Sequence, residues 1–379
     1  MAKEIKTFNP PFTILKRDDI PKNKALAIRI LSYIGTFLFT MLLCTFIVKD
    51  GLFKPIGVLF EGAFANIWKL LLDSCLLLAF GLAIVPAFKM KYWNMGANGQ
   101  VLIGALVAIV IMYYMKDFAA TSSFNNFILI IIMLIGSIIA SVIWAVIPAI
   151  FKVFFNTNET LFTLMMNYIA SGLVAYVNFI MAQGKKENPG IINADNNEGW
   201  LPRIFNTYYF IPIVIIILMA VFVYFYMKKT KQGYEVTVVG DSINTAKYVG
   251  MNTKKIIIRT LVLSGIMCGI IGFLYSAAIN HSVNKNTCGS LGFTAVLVAW
   301  MSNFNPLTMG IVSFALSFLT IGTSKVNAVY SLGSNDLSSV IIGMIFFAVL
   351  ICEFFIKYRV KFNFKKNKIN NEEVGAEKC

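Results

Sequence analysis

Charged residues are scarce in this chain of 379 residues, since Asp, Glu, Lys and Arg together make up only 13% of it. A soluble domain carries about 25% charged residues, roughly twice that share. Hydrophobic residues account for 58% of the chain, and apolar runs of the roughly 20 residues needed to cross a bilayer recur along it. The composition therefore excludes an ordinary soluble domain and predicts an all-α polytopic membrane protein.

Residues that carry catalysis are also in short supply. The chain has one histidine, His281, and so it offers no Ser-His-Asp grouping. It lacks the string GxxxxGK followed by Ser or Thr, which forms the phosphate-binding loop for ATP. Its six cysteines show no CxxC or metal-ligand spacing. We expect no catalytic residue, no metal and no bound cofactor on this chain, and we expect it not to be an enzyme by itself.

The positive charge indicates how the chain crosses the membrane. The net charge of +15 is concentrated beside the apolar runs, which does not suggest binding to nucleic acid but orients the spans by the positive-inside rule. It predicts ten spans, some of them broken, with both termini cytoplasmic. Their approximate bounds are 25–48, 65–88, 93–115, 127–151, 159–181, 209–227, 256–280, two shorter spans within 291–323, and 337–356.

These spans divide the chain into three parts. A cytoplasmic arm of residues 1–24 is expected to precede a transmembrane domain of residues 25–356, with a basic cytoplasmic tail of residues 357–379 after it. Within the transmembrane domain, we expect residues 183–208 to form an extracellular loop and residues 228–255 a polar cytoplasmic loop. Residues 281–290 are expected outside, with Cys288 in polar surroundings.

The polar loop at Lys228–Lys255 carries strong local signals. Asp241 or Ser242 can cap a helix, and Gly250 lies where a glycine typically ends one, so we predict a short helix near Ile243–Val249. We interpret the loop as the part through which a cytoplasmic motor moves a membrane pore. The alternative is an ordinary basic loop in solvent. The proposed coupling residues are Asp241, Ser242, Asn244, Ala246, Tyr248 and Gly250, with Ala246 expected in the buried contact with the motor.

Polar residues inside the spans are candidates for a substrate path. Glycine-rich stretches at Gly96 and Gly289 predict broken helices beside a cavity, although close helix packing through small residues is the alternative. Weak path contacts are assigned to Asn94, Asn98, Gln100 and Asn167, and each of these amides could equally be an interhelical hydrogen bond.

One carboxylate lies within the second predicted span. Asp73 is a functional candidate because charged residues inside a membrane are costly. The alternative is an ion pair with Lys69, which lies four residues earlier.

Five strings resemble, in the right order, the permeases of ABC importers for branched-chain amino acids, simple sugars and nucleosides. They cover roughly Leu76–Thr323 and read YWNMGANGQVLIGALVA, NETLFTLMMNYIA, GYEVTVVGDSINTAKYVGMNTKK, LSGIMCGIIGFLY and SLGFTAVLVAWMSNFNPLTMGIVSF. The long outer loop ending in Leu201-Pro202 is most similar to the longer permease of the nucleoside, guanosine-type subgroup. Asn98 stands where these permeases usually have Glu, Thr237 where they have Arg, and Trp300-Met301-Ser302 where Ala-Leu-Leu-Gly is usual.

The resemblance implies a multi-pass permease subunit of a bacterial plasma membrane, embedded in lipid. It implies a cytoplasmic ABC ATPase that holds ATP and Mg, a second and non-identical permease chain, and an extracellular solute-binding lipoprotein. Its substrate would be a nucleoside or a simple sugar. A stand-alone secondary carrier of small polar solutes is the alternative, although the few titratable groups within the spans argue against ion coupling.

Overall fold

A computed structural model describes residues 54–182, 190–205 and 207–330 continuously, the strands at 12–16 and 358–362, and isolated positions within 27–42 and 340–354. The chain forms two compact units. One unit comprises Met1–Ile56 with Ser339–Cys379, and the other comprises Gly57–Ser338.

The first unit contains a two-stranded antiparallel sheet. Strand β1, Phe12–Lys16, pairs with strand β2, Tyr358–Phe362, so that Phe12 lies opposite Phe362. Both strands are rich in the aromatic and β-branched residues that favour strands. The all-α prediction is therefore corrected to a nearly all-helical fold. The predicted spans at 25–48 and 337–356 lie mostly outside the described residues.

The described helices run from Lys54 to Tyr330. In chain order they are α1 Lys54–Phe64, α2 Ile67–Lys89, α3 Ala97–Tyr114, α4 Lys116–Ala120, α5 Ser123–Phe155, α6 Glu159–Met181, α7 Phe210–Lys229, α8 Lys231–Asp241, α9 Ile243–Tyr248, α10 Thr253–Leu274 with a π-helical turn at Tyr275–Ile279, α11 Leu291–Met301 and α12 Pro306–Tyr330.

Seven of these helices are long and apolar enough to cross a membrane, namely α2, α3, α5, α6, α7, α10 with its π-helical turn, and α12. Six of them coincide with the spans predicted between residues 65 and 280. Helix α5 is longer than expected, at 33 residues.

The prediction of two short spans within 291–323 is wrong. Helix α11 has 11 residues and reaches about 16 Å at 1.5 Å per residue, which is too short to cross. Helix α12 has 25 residues and continues to Tyr330. Asn303 and Phe304, both in the left-handed backbone region, turn the chain between the two helices.

Helix α2 is the central helix of the second unit and α5 lies at its periphery. In their most apolar stretches, 78% of the residues of α2 are buried but only 22% of those of α5. Ile131, Ile135, Ile139 and Ile143 form an exposed aliphatic stripe along α5, as expected of a surface that faces lipid.

Glycines let α10 approach its neighbours closely. A Cβ on Gly269 would lie 2.6 Å from the Cα of Ile138 in α5, and a Cβ on Gly272 would lie 2.7 Å from the backbone of α3. These contacts are examples of close helix packing through small residues.

Candidate functional site

The polar loop between α7 and α10 folds into two short helices. Helix α8 was not predicted, although its sequence carries the signal. Thr230 caps it by accepting the N–H of Gly233 at 3.1 Å. Gly233, Val236 and Val239 then recur at helical spacing and are buried. Because a Cβ on Gly233 would lie 2.7 Å from the Cα of Met227, the turn from α7 into α8 depends on glycine.

The helix predicted near Ile243–Val249 is confirmed as α9, Ile243–Tyr248. Of the two residues predicted to cap this helix, Ser242 is the N-cap, because its Oγ accepts the N–H of Thr245 at 3.2 Å. Gly250 has a φ of 79°. Its N–H donates to Lys247, and the N–H of Met251 donates to the carbonyl of Ala246, each at 3.0 Å. This paired arrangement is a Schellman motif, which ends the helix at a fixed position.

Ala246 does not face a partner as expected. It is 0% exposed and belongs to a hydrophobic cluster of this chain's own residues. The cluster also contains Ala87, Met90, Tyr92, Ala149, Val236, Val239, Ile256 and Leu261. A helix of one and a half turns that rests on the membrane helices must turn its small residue inward. Ala246 therefore positions α9 and is not available to a partner.

The opposite side of α9 is open. Tyr248 is 91% exposed and Val249 is 68% exposed, and Ile243 beside them is also exposed. Among the other predicted coupling residues, Asp241, Asn244 and Gly250 are exposed and Ser242 is partly buried. We call Ile243, Asn244, Tyr248 and Val249 the α9 surface.

Two contacts anchor α8, the helix just before this surface, to the membrane helices. The Arg259 guanidinium on α10 pairs with the Glu235 carboxylate on α8 at 2.8 Å. Gly240 on α8 packs on the end of α2, where its Cβ would lie 3.2 Å from the Cα of Met90. Since α8 and α9 share the buried cluster with α2 and α10, a displacement of α9 would press on both of these helices.

A buried phenol lies in the same cluster. Burial raises the pKa of Tyr92 above its ordinary value, and the nearby Glu159 carboxylate adds to the rise. The Tyr92 hydroxyl has no hydrogen-bond partner among the described residues. Glu159 itself pairs with Lys152 at 2.8 Å, so the short connection between α5 and α6 is held by opposite charges.

The predicted path amides lie at the break between α2 and α3. Asn94 is fully buried, and its Nδ2 donates to Ser264 Oγ on α10 at 3.1 Å. Its Oδ1 accepts the Gly96 N–H at 3.1 Å and the Gln100 Nε2 at 3.2 Å. Asn94 thereby joins the start of α3 to the middle of α10.

Asn167 joins the same break to α6. Its Oδ1 accepts the Gly99 N–H, and its Nδ2 donates to the Met95 carbonyl, both at 2.8 Å. Thr163, one turn earlier on α6, accepts the Met95 N–H at 3.2 Å. A Cβ on Gly99 would lie 2.8 Å from Asn167 Oδ1, so the close approach of α3 and α6 requires glycine there.

Asn98 joins α3 to α11. Its Oδ1 accepts the Gly292 N–H at 2.9 Å, and its Nδ2 donates to the Gly289 carbonyl at 3.2 Å. The two glycine-rich stretches singled out in the sequence therefore meet at Asn98.

The four path candidates form one amide network, comprising Asn94, Asn98, Gln100 and Asn167. Their hydrogen bonds within the chain hold α3 to α6, α10 and α11. In this conformation the network therefore stabilises the packing of these helices. Gln100 Oε1 alone has no partner among the described residues. Sequence reasoning missed the partners Thr163, Ser264 and Gly292, which stand out as small or hydroxyl residues within apolar runs.

The family model for "Branched-chain amino acid transport system / permease component" matches residues 66–350. The match begins at the start of α2 and includes the amide network and the α9 surface. No solved structure matches the chain significantly.

Several curated permeases are similar to the chain at modest identity. The guanosine ABC transporter permease protein NupP of Bacillus subtilis is 26% identical over 248 residues, which are 64% of this chain and 69% of that protein. The glucose ABC transporter permease protein TsgB13 of Haloferax volcanii is 24% identical over 312 residues, 79% of each chain. The nucleoside ABC transporter permease protein NupB of Lactococcus lactis is 24% identical over 257 residues, 65% of this chain and 68% of that protein.

The seven apolar helices make this an integral membrane protein, and the relatives are transporter permease subunits. Because the family model covers most of its length, the chain belongs to the branched-chain amino acid transport system / permease component family of ABC transporters.

Proposed function

We propose that this permease takes up nucleosides, delivered from outside by a solute-binding lipoprotein and moved by a cytoplasmic ABC ATPase. Two of the three relatives described above are named for guanosine or nucleosides and one for glucose. A nucleoside contains a sugar ring, so a path for one class can share contacts with a path for the other.

The α9 surface is the proposed docking site for the ATPase. Tyr248 and Val249 are exposed on a helix whose ends are fixed by the Ser242 cap and the Gly250 turn. A large exposed aromatic side chain on a rigid support is typical of an interface anchor. The sequence has no phosphate-binding loop of its own, so ATP and Mg would be held by the separate ATPase subunit.

Coupling would pass from the α9 surface into the membrane. Closure of the ATPase would push α9, and the cluster around Ala246 would transmit the push to α2 and α10. Asn94 links α10 to the break before α3, and Asn98 links α3 to α11. A shift of this connected set between two arrangements would give alternating access. A second, homologous but non-identical permease chain would complete the path.

The observation that carries this proposal is the exposed Tyr248 on a helix anchored to the membrane core. Uptake of labelled guanosine in cells should depend on ATP and persist when an ionophore collapses the proton and sodium gradients. Uptake lost to the ionophore at constant ATP would instead identify a stand-alone carrier. Uptake of labelled glucose but not guanosine would place the substrate among the sugars.

A further inference from the structure

Residues 281–290, which connect the π-helical turn to α11, form turns and irregular backbone without a helix or strand. One end of this connection is held near the end of α6, where Asn178 Nδ2 donates to the Val283 carbonyl at 2.6 Å. The other end is held by Asn98, which bonds to both Gly289 and Gly292. We call residues 283–290 the pre-α11 segment.

The pre-α11 segment runs a long way down the side of α6. Asn98, at its lower end, precedes Gly99, whose N–H donates to Asn167 Oδ1 on α6. Asn178, at its upper end, is about 16 Å farther along α6 than Asn167, at 1.5 Å per residue. This is about half the thickness of the hydrocarbon core of a bilayer. The residues expected outside the membrane therefore descend beside a membrane-crossing helix.

The two sides of the pre-α11 segment differ in character. Val283 and Cys288 are buried, with 1% and 2% exposure. Lys285, Asn286 and Ser290 are exposed on the other side. Among the residues that the structure describes, no hydrogen bond or ion pair engages these three side chains. The segment thus has an apolar side against the protein and an open side that carries an ammonium, an amide and a hydroxyl.

This open side is unsuited to lipid. At membrane depth, backbone that is not helical is tolerated only where it is buried in protein or lines a water-filled cavity. Polar and charged side chains exposed to hydrocarbon would add to the cost. The exposed stripe of α5 is entirely aliphatic by contrast. The open side of the pre-α11 segment therefore matches a surface in contact with water.

The open side continues along α11. Ser290, Phe293, Leu297 and Trp300 follow one another at spacings of three and four residues and so share a face. Phe293 is 45% exposed and Trp300 is 41% exposed. The Trp300 ring packs edge-on against Trp93, with centroids 5.2 Å apart, so the connection between α2 and α3 covers the far end of this face. The polar segment thus leads to an exposed aromatic ring in the first turn of α11.

We propose that the pre-α11 segment lines a water-filled entry to the transport path and that Ser290 and Phe293 bind the nucleoside there, an inference that rests on the proposed function. The Ser290 hydroxyl can both donate hydrogen bonds to the ribose hydroxyls and accept them. The flat base can stack on the Phe293 ring, and such stacking tolerates different bases. Asn98, predicted as a path contact, would instead hold the segment in place from behind.

The first test asks whether the open side faces water. Asn286→Cys and Ser290→Cys should react with a charged, membrane-impermeant thiol reagent added to intact cells, above the level of the wild type with its native cysteines. Ile139→Cys is the matched control, because Ile139 is 55% exposed but lies on the aliphatic stripe of α5, where a charged reagent does not penetrate. Saturating guanosine should lower the labelling of Ser290→Cys, because the substituted position lies in the proposed binding site.

The second test measures guanosine uptake per permease in cells that carry this chain with its ATPase and binding protein. Phe293→Ala should lower the uptake rate about tenfold, as expected for the loss of one base–aromatic stack. Phe293→Tyr keeps the ring and should retain most of the rate. Phe127→Ala is the control, since it removes an exposed ring from α5, and it should leave the rate unchanged.

The outcomes separate the two proposals. If the wild-type permease takes up neither nucleosides nor sugars, the proposed function fails, whereas the labelling still decides whether the segment faces water. If Asn286→Cys and Ser290→Cys react no more than Ile139→Cys at normal abundance, lipid or another chain covers the segment and the entry is refuted. If Phe293→Ala takes up guanosine at the wild-type rate, the binding site is refuted while the proposed function stands.

Discussion

The side-chain oxygen of Asn98 accepts the backbone N–H of Gly292 at 2.9 Å, so that a residue of α3 caps the first turn of α11. The residue preceding α11, Ser290, makes no side-chain cap bond. Asn98 also donates to the Gly289 carbonyl at 3.2 Å. An amide can accept and donate in this way, whereas a carboxylate at neutral pH has no proton to give. These two opposite hydrogen bonds explain why asparagine suits this position.

Replacing Asn98 with Leu should destabilise the protein. The Gly292 N–H and the Gly289 carbonyl would lose their partner, at a cost of about 1–3 kcal/mol in the free energy of unfolding. Asn98→Asp should cost less, because the carboxylate still caps α11. Thermal unfolding of the purified permease in detergent measures both changes. Asn286→Leu, at an exposed position in the loop before α11, is the control, and a melting temperature for Asn98→Leu equal to that of this control would contradict the capping role.

Two glycines on membrane helices should respond to alanine in opposite directions. A Cβ on Gly272 would lie 2.7 Å from Val101 O and Ala105 N, and these backbone atoms cannot move away without shifting α3. Gly272→Ala should therefore destabilise the protein by about 1–3 kcal/mol.

Gly172 on α6 is the matched control, because a Cβ there would meet nothing within 4 Å. Gly172→Ala should stabilise the helix by up to about 1 kcal/mol through its higher helix propensity. Melting temperatures that changed equally in the two variants would contradict the close packing of α10 on α3.

Much of the helical framework was predictable because it depends on local pattern. Apolar runs located six of the seven membrane-crossing helices, and the Ser242 and Gly250 signals located α9. The break at Asn303 was also visible in the sequence. The lengths of the helices on either side of this break were not predictable, since the apolar run continues through α12 to Tyr330.

The burial of individual residues was not predictable from local pattern. Ala246 was assigned to a partner because a small residue on a short helix suits a close contact, but it lies in a buried cluster with this chain's own residues from α2, α5, α8 and α10. Cys288 was expected in a polar outer loop and is 2% exposed. Both depend on which distant segment packs against them, and pairs such as Asn98 and Gly292 have no signature in either segment alone.

His281 should make stability depend on pH. Its ring stacks on Trp200 with centroids 3.6 Å apart. Burial lowers the pKa of His281 from 6.5 to about 4, with the Arg203 charge acting in the same direction and a backbone hydrogen bond at Ser276 opposing it. The unfolded chain then binds more protons than the folded protein between these two values. The contribution of His281 to stability should therefore be constant above pH 6.5 and fall as the pH is lowered towards 4.

The test of this prediction is the melting temperature of wild type and His281→Asn between pH 7.5 and 5. Asparagine tolerates the left-handed backbone at this position, where φ is 49°, but it does not titrate. The difference between the two proteins should narrow as the pH falls from 6.5 to 5. The carboxylates titrate in both proteins, so their effect cancels in the difference between the two melting temperatures. Parallel curves of melting temperature against pH would show that His281 is not the cause.

We predict that substitutions at two nearby residues of α9, one buried and one exposed, will impair the protein in different ways. Ala246 is buried in the cluster with Met90 and Ile256, so Ala246→Arg would place an unpaired charge in the core, at a cost of about 3 kcal/mol or more. It should reduce the amount of folded permease in the membrane. Tyr248 is exposed and supports no part of that core, so Tyr248→Ala should leave abundance and melting temperature unchanged.

Tyr248→Ala should instead reduce co-purification of the ATPase and guanosine uptake together, because a large aromatic side chain would be lost from the centre of the contact. Lys247→Ala, exposed on the same helix, is the control, and it should change ATPase binding little because a solvated charge contributes little to an interface. Three measurements test whether the ATPase binds at Tyr248, namely membrane abundance, the ATPase recovered per permease, and the uptake rate. Abundant Tyr248→Ala permease that retains its ATPase and transports normally would show that the ATPase binds elsewhere, and that α9 serves only to connect α8 with α10.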